Sequence, residues 1–306
     1  MKGLELSRAY YEQVGRPALE RGAPELLERM AIGLAGEGSE CFGFDDELSR
    51  DHDWGPAFCI WLEEEDYLRH GARVQQIYDS LPGGFNGFSA RKDGPLSGGR
   101  VGCLPREGWY TRYTGFPEGP GELHQWRRIP EGFLATATNG EVFSDPLGMF
   151  SQVREKLLAF YPEDVRIKKI VARAAVMAQA GQYNYPRLLQ RGESVAAQLA
   201  LAEFSKTAMS MAYLLSRRYA PYYKWMHRGL KDLPVLPRLG DQLEWLSKLQ
   251  GRAAAELAEA VCLDVVEELK KQGLTGHRSS FLADHCPGMM EQIQDPVLRR
   301  AHIMED

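Results

Sequence analysis

The sequence predicts an α+β chain, in which a small mixed sheet with flanking helices comes first and an all-helical part follows. Three observations carry this expectation. Short apolar runs bounded by turn residues occur at Met30–Ala35 and within Asp51–Leu62, which is the length of buried strands. Residues 82–100 are rich in glycine and poor in apolar side chains, so they read as a loop that builds no core. Beyond Ser151 the apolar residues recur at helical spacing almost to the C-terminus. The expected division is a mixed domain over residues 1–150 and a helical domain over 151–306, with the cleft between them as the natural place for a substrate.

The elements follow in order. Leu4, Leu6, Tyr10, Val14 and Leu19 recur near helical spacing, and Pro17 with Gly22-Ala23-Pro24 punctuates them, so two helical pieces are expected. Met30–Ala35 is the first strand. The second is read over Asp51–Leu62, where aromatic and branched residues follow an acidic start; Pro56 within it implies a bulge or an edge position. Glu63–Leu81 is helical, with Tyr67, Val74, Ile77 and Leu81 on one stripe. Strand and turn chemistry resumes over Val101–Val142, and a helix begins near Ser144 or Asp145. Further helices are expected over Ser151–Phe160, Val165–Ala180, Glu193–Arg217, Asp241–Gly251 and Ala253–Gln272, with breaks at Gly181, Pro221, Pro234, Pro237 and Gly273.

Composition narrows the function classes. The chain has 306 residues, 44% apolar and 26% charged, with a formal net charge of -5. That balance disfavours nucleic acid as the partner, although it leaves room for a local basic patch. The start, MKGLELSRAYYEQ, is polar, and no apolar run approaches a membrane span. The five cysteines are scattered and unpaired in sequence, as expected of reduced thiols in a cytoplasmic protein. The seven histidines show neither HxxxH nor HExxH spacing, which argues against zinc. A GxSxG elbow and a phosphate-binding GxxxxGK loop are both missing.

The chemistry-bearing stretch is GEGSECFGFDDELSRDHDWGP, in which Gly38-Ser39 precedes Asp51-His52-Asp53. Glycine lets backbone N–H groups approach a phosphate closely. On a strand, Asp51 and Asp53 would share a face while His52 points away. Two hard carboxylates suit Mg²⁺, which takes one or two of them together with substrate phosphates. Asp45 and Asp46 read better as a helix cap than as ligands.

This pattern resembles the signature of the nucleotidyltransferase superfamily. LLSRRYAPYYKWMHRGL at Leu214–Leu230 and GQYNYPRLLQR at Gly181–Arg191 resemble the helical part of an uncharacterised branch, a domain of unknown function related to aminoglycoside nucleotidyltransferases. The resemblance implies a Mg²⁺-dependent transferase using ATP or another nucleoside triphosphate and a small hydroxyl acceptor. Asp51 and Asp53 would be the metal ligands, with Gly38 and Ser39 at the phosphates. In the helical part, Arg187, Tyr223 and Lys224 are the residues expected at the nucleotide, Lys224 toward its phosphates. The tyrosines of RRYAPYYKWMHR equally suit core packing. Arg91 and Lys92 suit a phosphate contact or a solvated loop. The superfamily adds a third carboxylate from a later strand, but Arg100–Leu104 contains no acid. Glu107 is the first candidate and Glu122, in the strand-like ELHQW, the second. A site with two carboxylates remains open, and with it a catalytically degenerate nucleotide- or partner-binding protein.

Overall fold

A computed structural model describes residues 1–51, 53–92 and 99–305. It is an α+β protein, 62% helical, with one mixed four-stranded sheet and a C-terminal part built almost entirely of helices. The chain divides into two compact units, Met1–Pro120 with Phe133–Ala159 and Gly121–Gly132 with Phe160–Asp306.

The first unit opens with α1 (Gly3–Tyr10), which runs through a π-turn at Tyr11–Gly15 into α2 (Arg16–Gly22). Pro17 therefore does not end the helix. It falls in the first turn of α2, where its missing N–H costs least. The chain breaks instead at Ala23 and continues as a 3₁₀ turn over Pro24–Arg29. Strand β1 (Ala31–Leu34) follows as expected.

The second strand corrects the sequence reading. β2 is Cys59–Leu62 only, and neither Asp51 nor Asp53 to Phe58 forms a strand. Asp51 ends a 3₁₀ turn (Leu48–Arg50), and Asp53 has a left-handed backbone with φ 52°. The Asp-x-Asp pair therefore does not project from one strand face. His52 lies outside the described residues.

Helix α3 (Glu64–Asp79) crosses from β2 to β3 (Gly102–Pro105), which pairs parallel to it. The sequence predicts strands and turns throughout residues 101–142. These residues contain α4 (Arg106–Thr114), α5 (Leu123–Arg128) and α6 (Glu131–Thr138) before β4 (Glu141–Ser144). Glu122 does not lie on a strand. It caps α5, where its backbone N–H donates to Gln125 Oε1 at 3.0 Å. β1 pairs antiparallel with both β2 and β4, giving the order β3-β2-β1-β4.

Side-chain alternation covers both faces of this sheet. Ile32, Ile60 and Leu62 pack with Tyr10, Tyr11, Leu19 and Val74 from α1 to α3. Trp61 points the other way and stacks on Phe150 at 3.9 Å, with Trp109 edge-on at 5.6 Å. Phe150 belongs to α7 (Met149–Leu158), which begins later than Asp145. The Asp145 carboxylate accepts from the first N–H groups of α7, those of Phe150 and Ser151.

The second unit is centred on α8 (Glu163–Met177), most of whose residues are buried. Gly181 does not break this helix. A π-turn over Ala178–Asn184 carries it into α9 (Tyr185–Gln190), and Gly181 lies against the Phe204 ring, where a Cβ would collide. Phe204 comes from α10 (Ser194–Leu215). Then follow α11 (Tyr223–Gly229), α12 (Leu239–Leu246), α13 (Gly251–Lys271), α14 (Cys286–Glu291) and α15 (Pro296–Arg300). Among the described residues no helix is long and apolar enough to cross a membrane. All five cysteines are free and buried, and burial pushes the Cys59 thiol up to about 12; such thiols are unreactive.

Candidate functional site

The two halves of the motif meet through arginines that follow the glycine-rich loop and lie within it. Arg100 donates Nη1 to Asp53 Oδ2 at 3.1 Å and sets Nη2 2.8 Å from Glu37 Oε2. Glu37 directly precedes Gly38, so one guanidinium joins the Gly-Ser turn to the Asp-x-Asp segment. Arg112 of α4 adds a second cation to Glu37, at 3.1 Å from Oε1.

Arg91 makes a parallel connection. Its Nη1 donates to Glu40 Oε1 at 3.1 Å, and both side chains are nearly closed to solvent, at 7% and 4% exposure. The next residue, Lys92, accepts the Asp53 backbone N–H through its carbonyl at 2.8 Å. Close approach at Gly55 holds this arrangement. Its φ is 148°, and a Cβ there would lie 2.9 Å from the Arg91 nitrogen. Arg91 is thus not a solvated loop residue, whereas Lys92 is exposed.

Gly38 and Ser39 lead out of β1. Ser39 starts a 3₁₀ turn (Glu40–Phe42), and its carbonyl accepts from Phe42 and Phe44. Asn139 clamps Gly36, taking its N–H at 2.9 Å and returning Nδ2 to its carbonyl at 2.6 Å. A Cβ built on Gly38 would overlap both carboxylate oxygens of Glu40. Burial pushes the Glu40 carboxyl above its usual range, against the opposing pull of Arg91 and of its own backbone N–H.

Asp45 is structural. Its Oδ2 accepts the Gly3 N–H at 2.8 Å and the Trp54 indole N–H at 3.1 Å, while Lys2 lies 3.6 Å from Oδ1. It caps α1 and fixes the residue next to Asp53. Asp45→Asn, which keeps the shape and removes the charge, is expected to cost about 1–2 kcal/mol. Urea unfolding followed by Trp fluorescence measures it; an unchanged midpoint contradicts the assignment. Asp46 instead accepts from the Ser49 N–H at 3.1 Å and closes the turn Leu48–Arg50.

Asp51 is exposed. Glu107 opens α4, and its Oε1 accepts from Arg106 at 3.1 Å; Arg106 also donates to Glu118 at 2.6 Å. Glu107 is thus paired with Arg106, while Arg100 pairs with Asp53. Among the described residues no group of three His, Cys, Asp or Glu is placed to hold a metal ion. The donors that fit Mg²⁺ are two carboxylates, completed by ligand oxygens.

In the second unit, Arg187 and Lys224 are exposed. Arg187 lies 4.7 Å above the Tyr183 ring and Lys224 4.9 Å from that of Trp225. The tyrosines divide. Tyr219 packs against Phe160 and Tyr161, as core packing requires. Tyr222 and Tyr223 are each more than half exposed, so the core reading does not hold for them, and Tyr183 is exposed to a similar degree.

Glu37, Glu40, Arg100 and Arg112 did not stand out in the sequence. The available signal was position: two acids flank Gly38-Ser39, and Arg100 sits where the glycine-rich stretch ends. Residues 126–226 match the family described as Domain of unknown function (DUF4037). No curated protein and no solved structure matches the chain.

Proposed function

We propose that the chain is a Mg²⁺-dependent nucleotidyltransferase that moves AMP from ATP to a hydroxyl acceptor. The observation that carries this reading is the joining of Glu37-Gly38-Ser39 to Asp53 through Arg100, with Arg91 and Lys92 beside it. Charge is balanced here by arginines, whose planar donors suit phosphate as well as carboxylate.

In the transfer, the acceptor oxygen forms a bond to the α-phosphorus, the bond to pyrophosphate breaks, and the acceptor proton passes to a base. Asp51 and Asp53 would hold Mg²⁺, and the ion would supply charge neutralisation to the phosphate oxygens. Gly38 and Ser39 bring backbone N–H groups and a hydroxyl to the phosphates. The second unit by itself presents exposed tyrosines with Arg187 and Lys224, ring faces and positive charge of the kind that bind aromatic or anionic groups.

A second reading is a nucleotide- or partner-binding protein that performs no transfer. It is favoured by β3, Gly102–Pro105, which carries no acid, and by the want of a three-acid cluster among the described residues. Pyrophosphate release from Mg-ATP, measured across a panel of sugar, aminoglycoside and nucleoside hydroxyl acceptors, separates the two. Acceptor-dependent release supports transfer. Bound ATP with no release on any acceptor supports the binding protein.

A further inference from the structure

The Gly38–Glu40 turn already holds an anion. The Glu40 carboxylate lies flush against Gly38, in space that any Cβ at position 38 would fill. It receives its own backbone N–H and the Arg91 guanidinium. Backbone N–H and guanidinium donors around a glycine are what recognises a phosphate oxygen.

We infer that this is a phosphate site whose resident anion is the protein's own Glu40 carboxylate, and that a phosphate group of the nucleotide displaces Glu40 and takes over Arg91. The inference rests on the nucleotide reading above and adds to it an internal competitor and a named phosphate-binding arginine. Two features favour the exchange. The carboxylate is held at the cost of burying its charge, so it is a weak incumbent. Arg91 is carried by backbone that also bonds Asp53, through Lys92, so a phosphate on Arg91 lies on the same chain segment as the proposed metal ligand. Glycine at position 38 serves both states, because the approach must stay open to whichever anion is present.

Isothermal titration with Mg-ATP and with inorganic tripolyphosphate tests this on wild type, Glu40→Gln and Arg91→Met, with folding verified by circular dichroism. Glu40→Gln is expected to tighten both ligands about tenfold, and Arg91→Met to weaken both about tenfold. Should Glu40→Gln not fold, Glu40→Asp withdraws the carboxylate by one methylene and is expected to tighten in the same direction. Tightening for tripolyphosphate alone assigns the site to free polyphosphate and overturns the nucleotide exchange. If wild type binds Mg-ATP through Asp51 and Asp53 but neither Glu40 variant tightens, the internal-anion inference fails while the nucleotide reading stands. If no protein binds Mg-ATP, both fail.

Discussion

Trp61→Ala is expected to cost the first unit about 3–5 kcal/mol of unfolding free energy, the range for removing a fully buried aromatic ring. Trp61 has no exposed surface. It is stacked on Phe150 at 3.9 Å and met edge-on by Trp109 at 5.6 Å, so three elements lose their common contact. The cavity lies behind β2, which follows directly from the Asp53 segment, and site geometry should loosen with it. Urea unfolding read by far-UV circular dichroism measures the loss. A change below about 1 kcal/mol would place the ring outside the core.

Removing the cation that joins the motif halves has a different signature. In Arg100→Met, Glu37 retains Arg112 and Asp53 loses the Arg100 guanidinium. Breaking a fully buried pair costs about 3–5 kcal/mol. These side chains keep 17% to 34% exposure, so solvent screening reduces the expected loss to about 2 kcal/mol. The variant should also gain more thermal stability from Mg²⁺ than wild type does, because the competing guanidinium is gone from Asp53. Thermal unfolding with and without MgCl₂ checks both parts. A stability equal to wild type, with no extra gain from Mg²⁺, contradicts the role given to Arg100.

Much of this was legible in the sequence for physical reasons. Met30–Ala35 is apolar throughout because β1 is buried on both faces, and it could be little else. Helices α3, α8, α10 and α13 carry enough periodic residues for the pattern to speak. The misreadings occur where local chemistry and tertiary context diverge. Asp51–Phe58 has strand-like composition beyond Asp53, but strand pairing begins at Cys59 opposite Gly33. Upstream of it, Trp54 is drawn to Asp45 and Gly55 to the Arg91 backbone. Residues 106–114, REGWYTRYT, are poor helix formers, yet Trp109, Tyr110 and Tyr113 are buried from a helix, so packing overrides propensity. Two end signals were present and informative: Gly115, left-handed at φ 79° just past α4, and the Glu122–Gln125 capping box of α5. The site was half legible. Gly38-Ser39 and Asp51-x-Asp53 stand out as a motif, whereas the arginines that unite them come from a stretch without periodicity, and only folding reveals their partners.

The most direct measurement is isothermal titration of Mg-ATP into wild type and into the Asp51→Ala/Asp53→Ala double variant. The proposed site predicts saturable, Mg²⁺-dependent binding to wild type and a loss of at least about a hundredfold in the variant, equivalent to about 2.7 kcal/mol. Equal binding by both proteins, or binding by neither, would contradict it.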